Sequence, residues 1–223
     1  MNLPELHRRL LADVLAIGDA YPLVITGGYA VQAHGLVDRL SQDLDVATEN
    51  PAPIGEILRS VGEGLAERGW QVRQVEIGAL SGRFLVTDPD SGEQCEVDVL
   101  KEVLWRSPTA SEYGPVLSLD DVIGTKVRAL ADRGAVRDLI DVHAASRHRS
   151  MGDLENLGRR HARYAFSLED LRDRLAGAEW WDDQDYAEYG LQDEQIDALR
   201  TWALEWATDI GARLQAEQDP DDL

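Results

Sequence analysis

An apolar run, Leu23-Val24-Ile25, leads straight into Thr26-Gly27-Gly28, and Ser41-Gln42-Asp43-Leu44-Asp45 follows. This combination limits the possible folds more than any other stretch. The apolar run reads as a buried strand. Paired glycines let backbone N–H groups approach an anion with no Cβ in the way. A second strand starting at Asp43 puts Asp43 and Asp45 on one face and Leu44 and Val46 on the other, because side chains alternate along a strand. Two adjacent carboxylates repel unless something neutralises them. A divalent cation with oxygen ligands does so, and a glycine turn next door suits a triphosphate. The stretch therefore predicts a metal–nucleotide site.

Around it, helices and strands alternate. Leu6, Leu10, Leu11, Val14, Leu15 and Ile17 have helical spacing, predicting an N-terminal helix to about Asp19. Pro22 opens the first strand. Residues 29–34 read as a short helix starting at the glycines, with its N-terminus aimed at a phosphate and Gly35 as its stop. Asn50-Pro51-Ala52-Pro53 is a loop. Ile54, Ile57, Leu58, Val61 and Leu65 then form an amphipathic helix ending at Gly69. Residues 70–77 and 83–86 read as strands, residues 88–92 as a turn, and residues 93–100 as the returning hairpin strand. This order predicts an α/β fold, of the α+β kind with a mixed sheet. From Ser118 the chain turns helical. The expected division is a core over 1–115 and a helical region over 116–223.

Several polar residues stand out against these patterns. Glu96 and Asp98 share one strand face while Cys95, Val97 and Val99 share the other; a strand face turned to water gives the same pattern. Ser118-Leu119-Asp120-Asp121 reads as a helix cap with acids in the first turn. Lys126 falls on or beside the apolar stripe of Leu119, Val122, Ile123, Val127 and Leu130. An ammonium there either meets an anion or snorkels outward. Only Lys101 and Lys126 are lysines in an otherwise arginine-based chain, so the lysine at 126 suggests that a compact charge is needed there. After Gly134, Arg137-Asp138-Leu139-Ile140-Asp141 opens another helix with Asp138 and Asp141 facing the same way. By itself that string also describes an exposed Arg137–Asp141 ion pair.

The densest basic stretches are Arg147-His148-Arg149 and Arg159-Arg160-His161-Ala162-Arg163-Tyr164. They suit a phosphate backbone with a stacked base, or a solvated helix face. His34 and His143 lack zinc-ligand spacing and read as structural. Trp180, Trp181, Trp202 and Trp206 read as packing anchors, the last two on one helix face with Leu199. Residues 219–223 read as a frayed end.

The net charge of −20 disfavours a broad nucleic-acid surface unless the basic residues are segregated. They partly are: residues 182–223 hold 13 acids against two arginines. No run approaches the ~18 apolar residues of a membrane span, and Met1-Asn2-Leu3-Pro4-Glu5 has no signal-peptide pattern. The single cysteine, Cys95, rules out an internal disulfide and fits a reducing cytoplasm.

Gly27-Gly28 followed by Ser41-x-Asp43-Leu44-Asp45 resembles the first motif of the DNA polymerase β-like nucleotidyltransferases. The long spacing between glycines and Asp-x-Asp is similar to the AbiEii/AbiGii-type nucleotidyltransferase toxins, including the mycobacterial MenT group. Lys126 with Arg128, and Arg137-Asp138 with Asp141, resemble that family's later motifs. The resemblance covers roughly 26–141 and implies a polymerase β-like core whose site the helical region completes.

It implies further that Asp43 and Asp45 hold Mg²⁺, with a third carboxylate on a neighbouring strand: Asp98 first, Glu96 second. Gly27, Gly28 and Ser41 would hold phosphates, with Arg137 at the nucleotide. Lys126 would pair with the triphosphate, and Asp138 or Asp141 would orient Lys126 or contact the nucleotide. The implied reaction moves NMP from an NTP to an acceptor, releasing pyrophosphate. In the MenT-like toxins the acceptor is the 3′ end of tRNA, and an antitoxin is encoded nearby. Other readings remain open. A small-molecule acceptor such as an aminoglycoside would suit an acidic cleft. A protein side chain is another acceptor, and a non-catalytic binding module on the same fold is the third.

Overall fold

A computed structural model of the chain describes residues 1–39 and 41–218. The frayed end expected at 219–223 lies outside the described residues. The chain divides into two compact units, Met1–Val122 and Ile123–Leu223.

The first unit contains, in order, α1 (Glu5–Ile17), β1 (Val24–Ile25), α2 (Gly27–Ala33), β2 (Asp43–Thr48), α3 (Ile54–Glu67), β3 (Gln71–Ile77), β4 (Ser81–Thr87), β5 (Gln94–Lys101), β6 (Thr109–Ser111) and β7 (Gly114–Val116). The strands form one mixed sheet in the order β3-β4-β5-β2-β1-β7-β6. β2 runs parallel to β5 and β1 parallel to β7; the other neighbours are antiparallel. This is the mixed α/β architecture that the alternating pattern predicts.

Strand alternation sets the two faces of the sheet. On one, Leu44 and Val46 of β2 stand opposite Val97 and Val99 of β5, with Phe84 and Val86 of β4 beside them, all buried. α3 packs there through Ile57, Leu58, Val61 and Leu65. Leu58 lies so close that a Cβ on Gly82 would meet its Cδ1 at 2.2 Å. α1 packs on α3 and adds Leu10, Leu11 and Val14 to the core. Each such side chain contributes roughly 1.5–3 kcal/mol on burial. Cys95 belongs to this layer; burial, reinforced by the nearby Asp43 charge, pushes its thiol up to about 12 and leaves it unreactive. The other face presents the carboxylates.

Two strands carry no apolar alternation. β6 and β7 are three residues each, and β7 contains Pro115. β7 nonetheless gives β1 its second neighbour, Val116 pairing with Ile25. Lys101 is a structural clamp: its ammonium donates to the carbonyls of Asn50 and Ala52 in the loop after β2.

The second unit is helical. It comprises most of α4 (Leu119–Arg133), then α5 (Val136–Ala145), α6 (Met151–His161), α7 (Leu168–Ala176), α8 (Asp183–Ala187) and α9 (Asp193–Gln218). α6 starts on a Ser150–Asp153 capping box and α7 on Ser167, whose hydroxyl accepts from the Asp170 N–H. α9 packs on α5, α7 and α8, burying Ile196, Leu199, Ala203, Trp206 and Ile210. Trp202 and Trp206 pack together in a tilted pair, 5.3 Å between ring centres, on one face of the helix as their spacing predicts. Trp206 Nε1 donates to Glu155 at 3.0 Å.

Trp180 and Trp181 correct an expectation. Rather than anchoring the core, they are 85% and 40% exposed. They lie at the end of the 3-10 turn Gly177–Trp180, where no helical period turns both side chains inward. Ala178 and Tyr186 take the core positions, and the Tyr186 hydroxyl donates to the Ala178 carbonyl at 2.7 Å. No described helix is long and apolar enough to cross a membrane.

Candidate active site

The glycine turn and the Asp-x-Asp strand are built against each other. The Thr26 N–H donates to the Asp45 carbonyl at 2.9 Å, tying the start of α2 to β2. Gly27 has φ +60, the left-handed region that favours glycine. Space demands glycine too: a Cβ there would lie 1.8 Å from Asp45 Oδ2, and one on Gly28 would lie 2.4 Å from Ser41 Oγ. The Asp45 carboxylate thus rests on the Gly27 backbone. Ser41 Oγ donates to Asp43 Oδ1 at 3.0 Å, fixing the other carboxylate. Gly27, Gly28, Ser41, Asp43 and Asp45 are brought together within one unit.

β5 continues the acidic face. Asp43 stands opposite Glu96 and Asp45 opposite Asp98 in the parallel register. Arg83 on β4, which the sequence reading misses, takes both of these outer acids. Its Nε and Nη2 donate to the two Asp98 oxygens at 2.7 and 2.6 Å, and its Nη1 reaches Glu96 at 2.8 Å. The Asp98 hydrogen bonds raise the Arg83 pKa above its already high range, against the effect of burial. Alternation along β4 puts Arg83 on the polar face, but only the register shows which acids it meets. Four carboxylates therefore line the face, the outer two held by a guanidinium.

Arg83→Met should destabilise the protein by about 1–3 kcal/mol, since charge-assisted hydrogen bonds are lost on a half-buried face. It should also leave Asp98 and Glu96 open to a cation. Thermal melts with and without Mg²⁺ check this: the variant's melting temperature should rise more on adding Mg²⁺ than the wild type's. Equal responses would contradict this account of Arg83.

Beneath Ser41, the Tyr29 hydroxyl is hydrogen-bonded to His7 Nδ1 at 2.5 Å. Burial lowers the His7 pKa from 6.5, partly opposed by Asp43 and Glu93. The unfolded chain therefore binds more protons than the folded one below about pH 6.5, and stability falls as pH drops through that value toward the folded pKa. His7→Gln keeps a hydrogen-bonding side chain without the titration. Between about pH 7.5 and 5.5 it should lose less thermal stability than the wild type; a steeper loss would contradict the assignment.

In the helical unit, Lys126 meets its anion. It is 8% exposed, and its Nζ lies 2.9 Å from Asp141 Oδ2 and 3.7 Å from Asp138 Oδ1. Both aspartates are buried, so the exposed Arg137–Asp141 ion pair considered from the sequence does not describe them. Arg133 grips Asp138 through Nε at 2.7 Å and Nη2 at 3.0 Å. Arg133 carries no sequence signal, because its partner lies across the Gly134 corner (φ +64) on the next helix. Arg137 lies half-buried on α5.

His34 and His143 make packing and backbone contacts. His34 Nε2 is 2.7 Å from the Leu117 carbonyl, and His143 packs on Trp202 at 4.9 Å. Among the described residues, no three His, Cys, Asp or Glu side chains converge as a metal-binding group. Magnesium in nucleotide sites commonly takes one or two carboxylates and completes its shell with phosphates and water. Asp43 and Asp45 supply two hard oxygen donors on one face, beside a turn stripped of Cβ atoms. The residues present fit such an ion.

A family model described as "Nucleotidyl transferase AbiEii toxin, Type IV TA system" matches residues 9–210. The chain belongs to this family. It is a nucleotidyltransferase of the AbiEii toxin class, whose toxin–antitoxin character implies an antitoxin partner. Among solved structures, this AbiEii-family chain is similar to JHP933 from Helicobacter pylori, with a TM-score of 0.58 and 17% identity over 98% of this chain and 97% of that one. It is also similar to MenT4, the nucleotidyltransferase toxin Rv2826c from Mycobacterium tuberculosis H37Rv, with a TM-score of 0.57 and 19% identity over 92% and 82% of the two chains. At these identities the likenesses establish the fold. No curated protein sequence matches the chain.

Proposed function

We propose that this AbiEii-family chain transfers a nucleoside monophosphate from an NTP to the 3′ end of tRNA in the cytoplasm, with Mg²⁺ held by Asp43 and Asp45. The observation that carries the proposal is the Asp43–Asp45 pair set against the Cβ-free Gly27-Gly28 turn. The turn offers backbone donors to phosphate oxygens, and Ser41 fixes Asp43 while adding a hydroxyl nearby. Bound there, Mg²⁺ would neutralise charge on the α-phosphate and the departing pyrophosphate. The acceptor hydroxyl oxygen forms a bond to the α-phosphorus as the bridging α–β P–O bond breaks. Pyrophosphate leaves with the electron pair, and the hydroxyl proton passes to solvent or a carboxylate. Asp98 would join the metal only where Arg83 releases it. Lys126, Arg137, Asp138 and Asp141 are proposed for the nucleotide on their match to the family's later motifs. The tRNA acceptor is supported by the resemblance to the MenT group and by the exposed arginines at 147, 159, 160 and 163.

The test is incubation with Mg²⁺, each α-labelled NTP in turn, and total tRNA, with an aminoglycoside mixture in parallel because the protein is so acidic. Label on tRNA, lost in Asp45→Ala, is the expected result. Label on the drug alone, or on the protein itself, would replace the acceptor. No label on any acceptor, together with no NTP binding, would overturn the proposal.

A further inference from the structure

The helical unit has a groove that nucleotidyl transfer does not by itself explain. Arg133, Gly134, Arg174, Trp180 and Trp181 line a cavity of about 240 Å³. Trp180 is a large apolar ring left almost wholly in water. Its indole lies over Gly177, where a Cβ would sit 3.6 Å from Cε3. The segment is pinned from below, as Arg200 Nη2 donates to the Trp181 carbonyl at 2.6 Å. Both groove arginines are held in place. Arg133 is fixed on Asp138, and the Arg174 stem crosses Gly134 with its Nη2 donating to the Asp132 carbonyl at 3.3 Å. The one acid lining the cavity, Asp173, is paired with Arg172 at 2.7 Å.

We infer that this groove binds a single-stranded nucleic acid, a base stacking on Trp180 and the backbone phosphates meeting Arg174 and Arg133. Indole faces accept any base, and planar guanidiniums match phosphate geometry. In a chain of net charge −20, a lining where two arginines outnumber one acid gives a polyanion a local positive contact. A second platform continues the track. One turn earlier on α7, Asp170 borders a small recess shared with Arg163 and Tyr164, and Tyr164 is 91% exposed. Two exposed aromatics, Trp180 beside Arg174 and Tyr164 beside Arg163, suit a strand of at least two nucleotides, although Asp132 and Asp170 also border the second recess. Arg133 also links the groove to the proposed nucleotide residues, because it shares Asp138 with Lys126. The inference rests on the proposed function only for the strand's identity as the acceptor.

Fluorescence anisotropy of labelled single-stranded A6 and C6 ribonucleotides, with full-length protein and no NTP, tests it without invoking transfer. Trp180→Ala should weaken binding by about fivefold or more, the loss of one stacked base, and Trp180→Phe should recover most of it. Arg174→Ala should weaken binding and flatten its salt dependence. Trp180 is exposed, so its variants keep the fold. No binding, equal binding by wild type and Trp180→Ala, or capture of an acidic peptide in place of RNA would each overturn the groove. Transfer to tRNA without Trp180-dependent binding would reject the groove and leave the proposed function standing. Trp180-dependent binding without transfer would support the groove and reject that function.

Discussion

Replacing Asp45 with asparagine is expected to lower nucleotidyl transfer by about 10²–10⁴-fold, the rate equivalent of losing several kcal/mol of transition-state charge stabilisation. Asparagine keeps the shape that rests on Gly27 and leaves the backbone bond from Thr26 untouched, so packing is conserved. The side chain is half-buried on a face of four carboxylates, and removing one charge there relieves repulsion. The melting temperature should stay within about 3 °C of the wild type, in line with substitutions outside the core. Asp43→Asn should behave alike, with its Ser41 contact kept as a neutral hydrogen bond. Initial rates of label transfer alongside thermal melts check both points. Full activity in both variants would remove the carboxylate pair from the chemistry. A large drop in melting temperature would instead make the pair structural.

The second large effect concerns stability. Lys126→Met withdraws the ammonium from two aspartates with fully buried side chains. Breaking a buried ion pair from one side costs about 3–5 kcal/mol, because the remaining charge stays in low dielectric. For a chain of this size that is about 6–20 °C in melting temperature. Asp138 keeps Arg133, so most of the loss should come through Asp141. Denaturant melts of Lys126→Met, Asp141→Asn and the double variant form a cycle. The double variant should be less destabilised than the sum of the singles, with a coupling of about 1–3 kcal/mol. Additive losses would mean that the 2.9 Å contact contributes nothing specific.

Local chemistry made part of this site legible from the sequence. Alternation in Asp43-Leu44-Asp45-Val46 fixes which face is acidic, and adjacent glycines mark a place where backbone and carboxylate come within contact distance. Lys126 is conspicuous because an ammonium inside an apolar stripe either meets an anion or snorkels outward. The stripe does not name the anion: the resemblance implies a triphosphate, with Asp138 or Asp141 orienting the lysine, and the fold puts both aspartates within ion-pair reach of it. Arg83 and Arg133 were not readable. An arginine is compatible with nearly any exposed position, and its partner depends on strand register or on how a helix corner turns. β7 was invisible for a related reason: three residues around a proline have no period, and only pairing with Ile25 makes them a strand. Trp180 and Trp181 depart from the tendency of large aromatics to bury, because a short 3-10 turn fixes their direction.

Asp43 and Asp45 are proposed to hold a metal–nucleotide against the Gly27-Gly28 turn. A crystal structure of the protein with Mg²⁺ and an NTP analogue blocked at the α–β bridge tests it most directly. The expected result is a metal about 2.0–2.1 Å from oxygens of both aspartates, with phosphate oxygens beside the glycine backbone. A nucleotide bound with its phosphates away from this turn, or a metal that leaves Asp43 and Asp45 untouched, would contradict it.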